Sequence, residues 1–252
     1  MAENIKTIQL RMNTIDKVSK ITNAMKLVSM SKLQRYQRKI REFAEIVEEY
    51  DHIPSENIGG TENLDILAVC FVPDLGLVSG YNQAMLRAVR QLAPDSVFWL
   101  GNQNYEKLER ATAYNTVNEK RSSDHLDLEI LYDEVVEFKN EYQIYLAVPK
   151  MRGNELVINW KFLNKQLSYS DFVVYEPDYD TANERYQQFN LLLSLYDAYY
   201  QSKFSENMTR RIAMEQATDN ANDMREELGN RYNQLRQERI TAEILELSAG
   251  VE

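Results

Sequence analysis

Cysteine and histidine are almost missing from these 252 residues, which contain one Cys and two His. That scarcity excludes a disulfide framework, a thiolate metal cluster and most histidine metal sites, and it favours a reducing, cytosolic-side compartment. No run of about 18 uninterrupted apolar residues occurs, so a membrane span is excluded. Any action at a membrane then goes through partners. The N-terminus opens charged and helical, with no apolar signal core and no Arg/Ser-rich transit segment, and no cleaved leader is expected.

Proline and glycine are scarce and confined. The five prolines lie at 54, 73, 94, 149 and 177, and six of the eight glycines fall between 59 and 153. Residues 1–53 hold neither, and after Pro177 only Gly229 and Gly250 remain. Both flanks can therefore carry long helices with an unbroken hydrogen-bond ladder, and the middle cannot.

The flanks also carry heptads. With Ile5 at position a, the a series is Ile5, Met12, Ser19, Lys26, Leu33, Ile40 and Val47, and the d series is Ile8, Ile15, Thr22, Ser29, Tyr36, Phe43 and Tyr50. Only Ser19, Lys26, Thr22 and Ser29 are polar. They are adjacent in the repeat, where Ile21, Met25 and Val28 supply hydrophobicity, so the seam is expected to shift around the helix there. At the other end Met214, Ala217, Ala221, Met224, Leu228, Leu235, Ala242 and Leu245 form a second narrow seam, interrupted by Arg231 and Glu238. The two helices are expected to bury their stripes on each other as an antiparallel coiled coil, about 70 Å long for 45 residues.

Between them, residues 65–72 (D-I-L-A-V-C-F-V) read as a strand covered on both faces. The alternation continues with a helix near 82–92, a strand at 96–100, helices at 103–110 and 126–140, and strands at 142–148, 156–163 and 172–175. This predicts a small α/β, Rossmann-like domain over 64–176, flanked by a coiled-coil helix at 1–53 and another at 182–248. Residues 54–63 read as the linker.

Charge is uneven. Residues 4–41 hold ten basic side chains and one acid, a local balance of +9 in a chain of −10. A basic helix of this kind fits nucleic acid, an anionic membrane or an acidic protein surface. Base-reading side chains on one face are missing, which argues against nucleic acid. The bulky apolar residues that a membrane would need are committed to the seam. An acidic protein socket remains.

Candidate chemistry is thin. Residues 76–81 (G-L-V-S-G-Y) sit where a phosphate loop would, but without the terminal Gly-Lys-Ser/Thr they read as a tight strand-to-helix turn. Cys70 lies in an apolar strand as a small hydrophobe. His52 and His125, each beside acids, suit surface or capping roles. Acidic pairs such as Glu48-Glu49 and Glu226-Glu227 suit solvated helix faces. No active site, cofactor or metal is expected.

Five segments, in order, carry a resemblance. Residues 15–33 (I-D-K-V-S-K-I-T-N-A-M-K-L-V-S-M-S-K-L) are similar to K-I-T-x-A-M-x-M-V-x-x-x-K-L of the gamma subunit of F-type ATP synthases. Residues 74–82 (D-L-G-L-V-S-G-Y-N) resemble that family's D-R-G-L-x-G-x-Y/N turn, and residues 175–178 (Y-E-P-D) its Y-E-P-D element. Residues 206–220, ending A-M-E-Q-A-T-D-N, resemble its S-E-x-x-x-R-M-x-A-M-x-x-A-T-D-N stretch, and residues 232–244 its Y-N-x-x-R-Q-x-x-I-T-x-E-L/I stretch.

The resemblance implies a non-catalytic rotor shaft: terminal helices turning inside a ring of three alpha and three beta subunits, with the α/β domain on the membrane ring of c subunits beside epsilon. It implies a peripheral location on the cytoplasmic face of a bacterial membrane. Lys20, Met25 and Lys26 would contact the beta subunit's catch loop together with Arg236, Gln237 and Thr241, while Tyr175 and Glu176 would face the c ring. Four features depart from the pattern: Leu75 stands where Arg is usual, the helix after Met25 lacks the Ala-rich run, the chain is short, and it is strongly acidic. They suit a diverged paralogue that turns in a similar ring with another output. A generic coiled-coil adaptor, pairing as a parallel homodimer, and a small-molecule enzyme on the α/β domain are the readings from other classes.

Overall fold

The computed structural model describes residues 5–58, 63–101, 114–119, 121–124 and 126–249, the side chain at 247 excepted. In chain order the elements are helix α1 (Ile5–Asp51), strands β1 (Ser55–Asn57) and β2 (Asp65–Phe71), helix α2 (Ser79–Leu92), strands β3 (Ser96–Leu100) and β4 (Asn115–Thr116), and helix α3 (Leu128–Glu137). A 3₁₀ turn (Phe138–Asn140) follows, then strands β5 (Tyr142–Arg152), β6 (Glu155–Phe162) and β7 (Lys165–Leu167), and helix α4 (Tyr179–Ala249). The helix expected at 103–110, and His125, lie outside the described residues. The chain divides into two compact units, Met1–Met30 with Arg210–Glu252, and Ser31–Thr209. Both long helices contribute to each.

The Ser31–Thr209 unit is built on a five-stranded sheet in the order β4-β3-β2-β5-β6, parallel except for the β5–β6 hairpin. As the apolar run foretold, β2 is buried on both faces. Leu67, Val69 and Phe71 meet Leu131 and Val135 of α3 and Leu191, Leu195 and Ala198 of α4. The alternate residues Ala68 and Cys70 meet Tyr81, Met85 and Val89 of α2, as the two-residue period of a strand requires. Within this unit α1 lies antiparallel on α4 through aromatic side chains: Phe43 stacks on Tyr196 and Tyr200 at 5.7 and 5.8 Å, and Tyr50 on Tyr186 at 6.0 Å. His52 Nδ1 donates to the Glu48 carbonyl at 2.6 Å, capping the end of α1.

Three expectations change here. Strand β5 runs on through Pro149, because β2 pairs only as far as Leu146 and the proline's missing N–H is owed to no neighbour on that side. Part of the expected linker, β1, pairs antiparallel with β7. Residues 172–175, read as a strand from their β-branched run, form a loop whose apolar side chains stand in solvent.

The second unit is a helix pair. Ser19 Oγ donates to Asn222 Oδ1 (3.1 Å), the Thr22 and Thr218 hydroxyls share a hydrogen bond (2.7 Å), Lys26 Nζ lies 3.9 Å from Glu215, and Asp16 pairs with Arg225. Each step back along α1 matches a step forward along α4, so the pair is antiparallel and in constant register. The adaptor alternative, which calls for a parallel homodimer, does not fit this intramolecular pair. The expected shift of the seam is also overturned. Thr22 and Ser29 stay inside at 8% and 2% exposure, while Ile21 and Val28 face out at 60% and 59%. Helix geometry keeps the a and d positions on one side whatever occupies them, and here hydrogen bonds join Ser19 to Asn222 and Thr22 to Thr218.

The C-terminal seam is likewise shorter than expected. Met214 and Ala221 are buried, but Met224 and Leu245 are exposed, as are residues 236–246 throughout. The register explains it: Ile5 lies level with about Arg236, so α1 has no further described residue to offer.

Candidate functional site

Two places concentrate functional residue types. The first is the outer surface of the helix pair. Because Ser19, Thr22 and Ser29 occupy its seam, Val18, Ile21, Leu27, Val28 and Met30 are left exposed on α1, and Leu10 and Met224 stand exposed about a groove whose lining also includes Thr7, Thr14, Ile15 and Leu228. Val18, Ile21, Met25 and Val28 recur at steps of three and four residues, which sets them along one stripe beside the d positions. Basic side chains border the stripe: Lys17 and Lys20 are exposed and form no ion pair among the described residues, whereas Lys26 is drawn to Glu215. An exposed apolar stripe with basic edges is a surface made for a protein with an acidic rim.

The expected beta-contact residues fall on this surface in two groups. Lys20 is exposed, Met25 half-buried and Lys26 half-buried beside Glu215. Arg236, Gln237 and Thr241 are all exposed, and the Thr241 hydroxyl donates to the Gln237 carbonyl at 2.9 Å. They are not brought together. The antiparallel register sets Lys20 level with about Ala221 and Lys26 level with Glu215, which leaves roughly 20 to 40 Å of helix between the two groups at 1.5 Å per residue. The two groups therefore do not make up one compact patch.

The second place lies in the Ser31–Thr209 unit, around Lys203. Its ammonium is almost wholly buried, at 2% exposure, and donates to Asp74 Oδ2 (3.1 Å), Ser123 Oγ (2.8 Å) and Asp124 Oδ1 (2.5 Å), with Glu206 at 3.6 Å. Burial pulls the lysine pKa down, but the Glu206, Asp124 and Asp74 carboxylates outweigh it and hold the group above its ordinary value. Asp74 also accepts from Ser123 N–H (3.0 Å) and Ser123 Oγ (2.8 Å). Beside it the buried Tyr81 hydroxyl donates to the Phe71 carbonyl (2.9 Å) and lies 2.8 Å from Ser202 Oγ. The turn at residues 74–82 is thus bolted to α4 by charge and to β2 by a phenol, with Leu77 at φ 66° and Leu75 exposed. Sequence reasoning missed Lys203. Its signal was a lysine within a run whose Ala198, Ser202 and Ser205 form a small, inward helix face.

The expected c-ring residues sit on the loop before α4. Glu176 is exposed; Tyr175 is half-buried and its hydroxyl is used within the loop, donating to the Ser168 carbonyl (3.2 Å) and accepting from Ser170 N–H (3.0 Å). Cys70 is buried and desolvation pushes its thiol far up, as befits a core residue. Among the described residues no helix is long and apolar enough to cross a membrane, and no group of three or more His, Cys, Asp or Glu could hold a metal ion.

Comparison with known proteins agrees across the whole chain. A family model described as ATP synthase matches residues 4–252. The ATP synthase gamma chain of Mycoplasma genitalium is 25% identical over 98% of this chain and 99% of its own length, and that of Clostridium pasteurianum is 28% identical over 100% and 99%. In fold, a chain of the Euglena gracilis mitochondrial ATP synthase, solved as an OSCP/F1/c-ring assembly, superposes with a TM-score of 0.75 at 16% identity, covering 98% of this chain and 93% of that one. A chain from the rotor of the same enzyme gives 0.66 at 15% identity. With helix pair, inserted sheet and sequence all aligned nearly end to end, the chain belongs to the ATP synthase family, alongside that family's gamma chains.

Proposed function

We propose that this chain is the central-stalk rotor of an F-type ATP synthase or ATPase, coupling ion flow through a membrane c ring to ATP synthesis or hydrolysis in an alpha-beta hexamer. The observation that carries it is the inverted helix pair: hydrogen-bonded polar groups within its seam and an apolar stripe, edged by Lys17 and Lys20, outside. Bare in water such a stripe is wasted; inside a close-fitting ring it becomes a bearing. Few polar groups on it means few fixed contacts, and the flanking lysines engage acidic loops at particular angles.

On this reading the chain is a non-catalytic subunit whose partners own the nucleotide chemistry. Residues 1–53 and 182–248 serve as the shaft and residues 64–176 as the foot. Lys20, Met25 and Lys26 form one beta contact and Arg236, Gln237 and Thr241 another. Tyr175 and Glu176 belong to the c-ring side, and epsilon binds beside them. Membrane association on the cytoplasmic face comes through these partners, and nucleic acid plays no part. A paralogous rotary ATPase with another output is the second reading, favoured by the exposed Leu75 where the family places arginine.

The test is reconstitution of the full chain with a purified alpha-beta hexamer. Cooperative ATP hydrolysis that requires the chain, with no hydrolysis by the chain alone, is the expected result. An unchanged rate with and without it would end the proposal, and hydrolysis uncoupled from ion transport in the native membrane would select the second reading.

A further inference from the structure

A groove of about 540 Å³ opens within the Ser31–Thr209 unit, between α1, α4 and the start of α3. Its α1 wall presents Lys32, Arg35, Tyr36 and Lys39, which recur at steps of three and four residues and so share one helix face. Its α4 wall presents Tyr196, Tyr199 and Tyr200. The volume is that of a site for a small organic ligand.

Two sets of polar groups there have no partner among the described residues. Lys32 and Arg35 form no ion pair, whereas Lys39 is matched by Glu42 at 2.7 Å. The hydroxyls of Tyr36, Tyr196, Tyr199 and Tyr200 form no hydrogen bond, while those of Tyr81, Tyr175 and Tyr179 all do. The α4 rings themselves are held: Phe43 stacks on Tyr196 and Tyr200, and Tyr199 lies edge-on to Tyr200 at 5.3 Å. Burial keeps the Tyr36 and Tyr199 phenols above their ordinary value, so both remain donors at neutral pH.

The acids at the groove do not cancel its charge. Asp124 is taken by the Lys203 ammonium (2.5 Å), and Asp127 accepts from the N–H groups of Glu129 (3.0 Å) and Ile130 (3.4 Å) at the start of α3. Unmatched cations beside fixed hydroxyl donors make a receptor for an anion of several oxygens, the chemistry of a phosphate chain. Tyr36 adds a flat face, since among the described residues its ring packs on no other aromatic, unlike the three α4 tyrosines. A bare phosphate would use the donors and leave that face and most of the volume empty.

We propose that the groove is a binding site for a nucleoside di- or triphosphate, with Lys32, Arg35 and the α4 tyrosine hydroxyls on the phosphate oxygens and the base stacked on Tyr36. The site lies within one chain, so it stands or falls separately from the rotor reading.

The test is calorimetric titration of the full-length chain with ATP and with inorganic tripolyphosphate, in EDTA so that no metal bridges, with thermal unfolding as the folding control. The wild type should bind one ATP, and tripolyphosphate more weakly. Lys32→Gln with Arg35→Gln should weaken ATP binding roughly tenfold or more and flatten its salt dependence, with the melting temperature unchanged. Tyr36→Leu should weaken ATP and leave tripolyphosphate as it was. Tyr196→Phe with Tyr200→Phe, which keeps the rings and their stacking, should weaken both. No saturable binding by the wild type, or equal binding by the Lys32 and Arg35 double variant, overturns the site. Tripolyphosphate that binds as tightly as ATP overturns the nucleotide in favour of a bare phosphate chain. A polyglutamate peptide that displaces ATP and binds more tightly overturns the small ligand in favour of an acidic protein segment.

Discussion

The same two helices are packed in opposite ways in the two compact units. Within Ser31–Thr209, α1 meets α4 through Phe43, Tyr50, Tyr186, Tyr196 and Tyr200, and a sheet with both faces covered completes an ordinary apolar core. Within the other unit the seam holds Ser19, Thr22 and Ser29, and the larger apolar side chains Ile21, Leu27 and Val28 are turned to solvent. The first arrangement stabilises itself by removing apolar surface from water. The second stabilises itself modestly, at about 1 kcal/mol per hydrogen bond, and keeps its apolar surface for another molecule. One unit is a scaffold and the other an interface, and the sequence marks the difference by where polar residues enter the heptad.

That contrast can be broken by substitution. The largest effect is expected at Lys203 in the scaffold. Lys203→Met leaves Asp74, at 7% side-chain exposure, and Glu206, at 6%, without the buried ammonium, and should cost about 3 to 5 kcal/mol in urea unfolding of the full chain. Its pKa is raised on folding, so its contribution is complete below the ordinary lysine value of about 10.4 and fades only as pH climbs through the raised one. The gap between wild type and variant should therefore be flat from about pH 7 to 9. A gap that shrinks in that window would mean that Lys203 is not held as described.

Next comes Gly101, at φ 139°, where an added Cβ would lie 2.1 Å from the Val72 carbonyl oxygen. Gly101→Ala should cost about 2 to 3 kcal/mol, since backbone rather than a movable side chain must yield. In the interface unit the expected changes are smaller. Thr22→Val together with Thr218→Val replaces a hydrogen-bonded pair by two apolar groups of similar shape and should shift stability by about 1 kcal/mol or less, in either direction. Smallest of all, Val28→Gln should move unfolding by no more than about 0.5 kcal/mol, while lowering the chain's activation of an alpha-beta hexamer. A large loss of stability there would place Val28 in a core and erase the contrast.

Much of this was legible from residue order. The breaker-free flanks, the heptads from Ile5 to Tyr50 and the doubly covered strand from Asp65 follow from local rules of period and propensity. Where reading failed, hydrophobicity was taken as a guide to burial. Ile21 and Val28 looked like a displaced seam and Phe172 to Tyr175 like a strand, because apolar residues that stand in solvent read like core residues in a single chain. Lys203 was illegible for a different reason: its carboxylates come from Asp74 and Asp124, more than 70 residues away, and from Glu206 one turn on. The separation of Lys20, Met25 and Lys26 from Arg236, Gln237 and Thr241 needed the helix register, which no motif carries.

The reserved surface can be measured with a single thiol. The native Cys70 is buried, its thiol pushed far up by desolvation, and is a silent background for maleimide labelling. Val28→Cys puts a thiol on the exposed stripe. The account predicts rapid labelling in the free chain and at least tenfold slower labelling once the chain is assembled with the alpha-beta hexamer. Slow labelling in the free chain, or equal rates in both states, would contradict it.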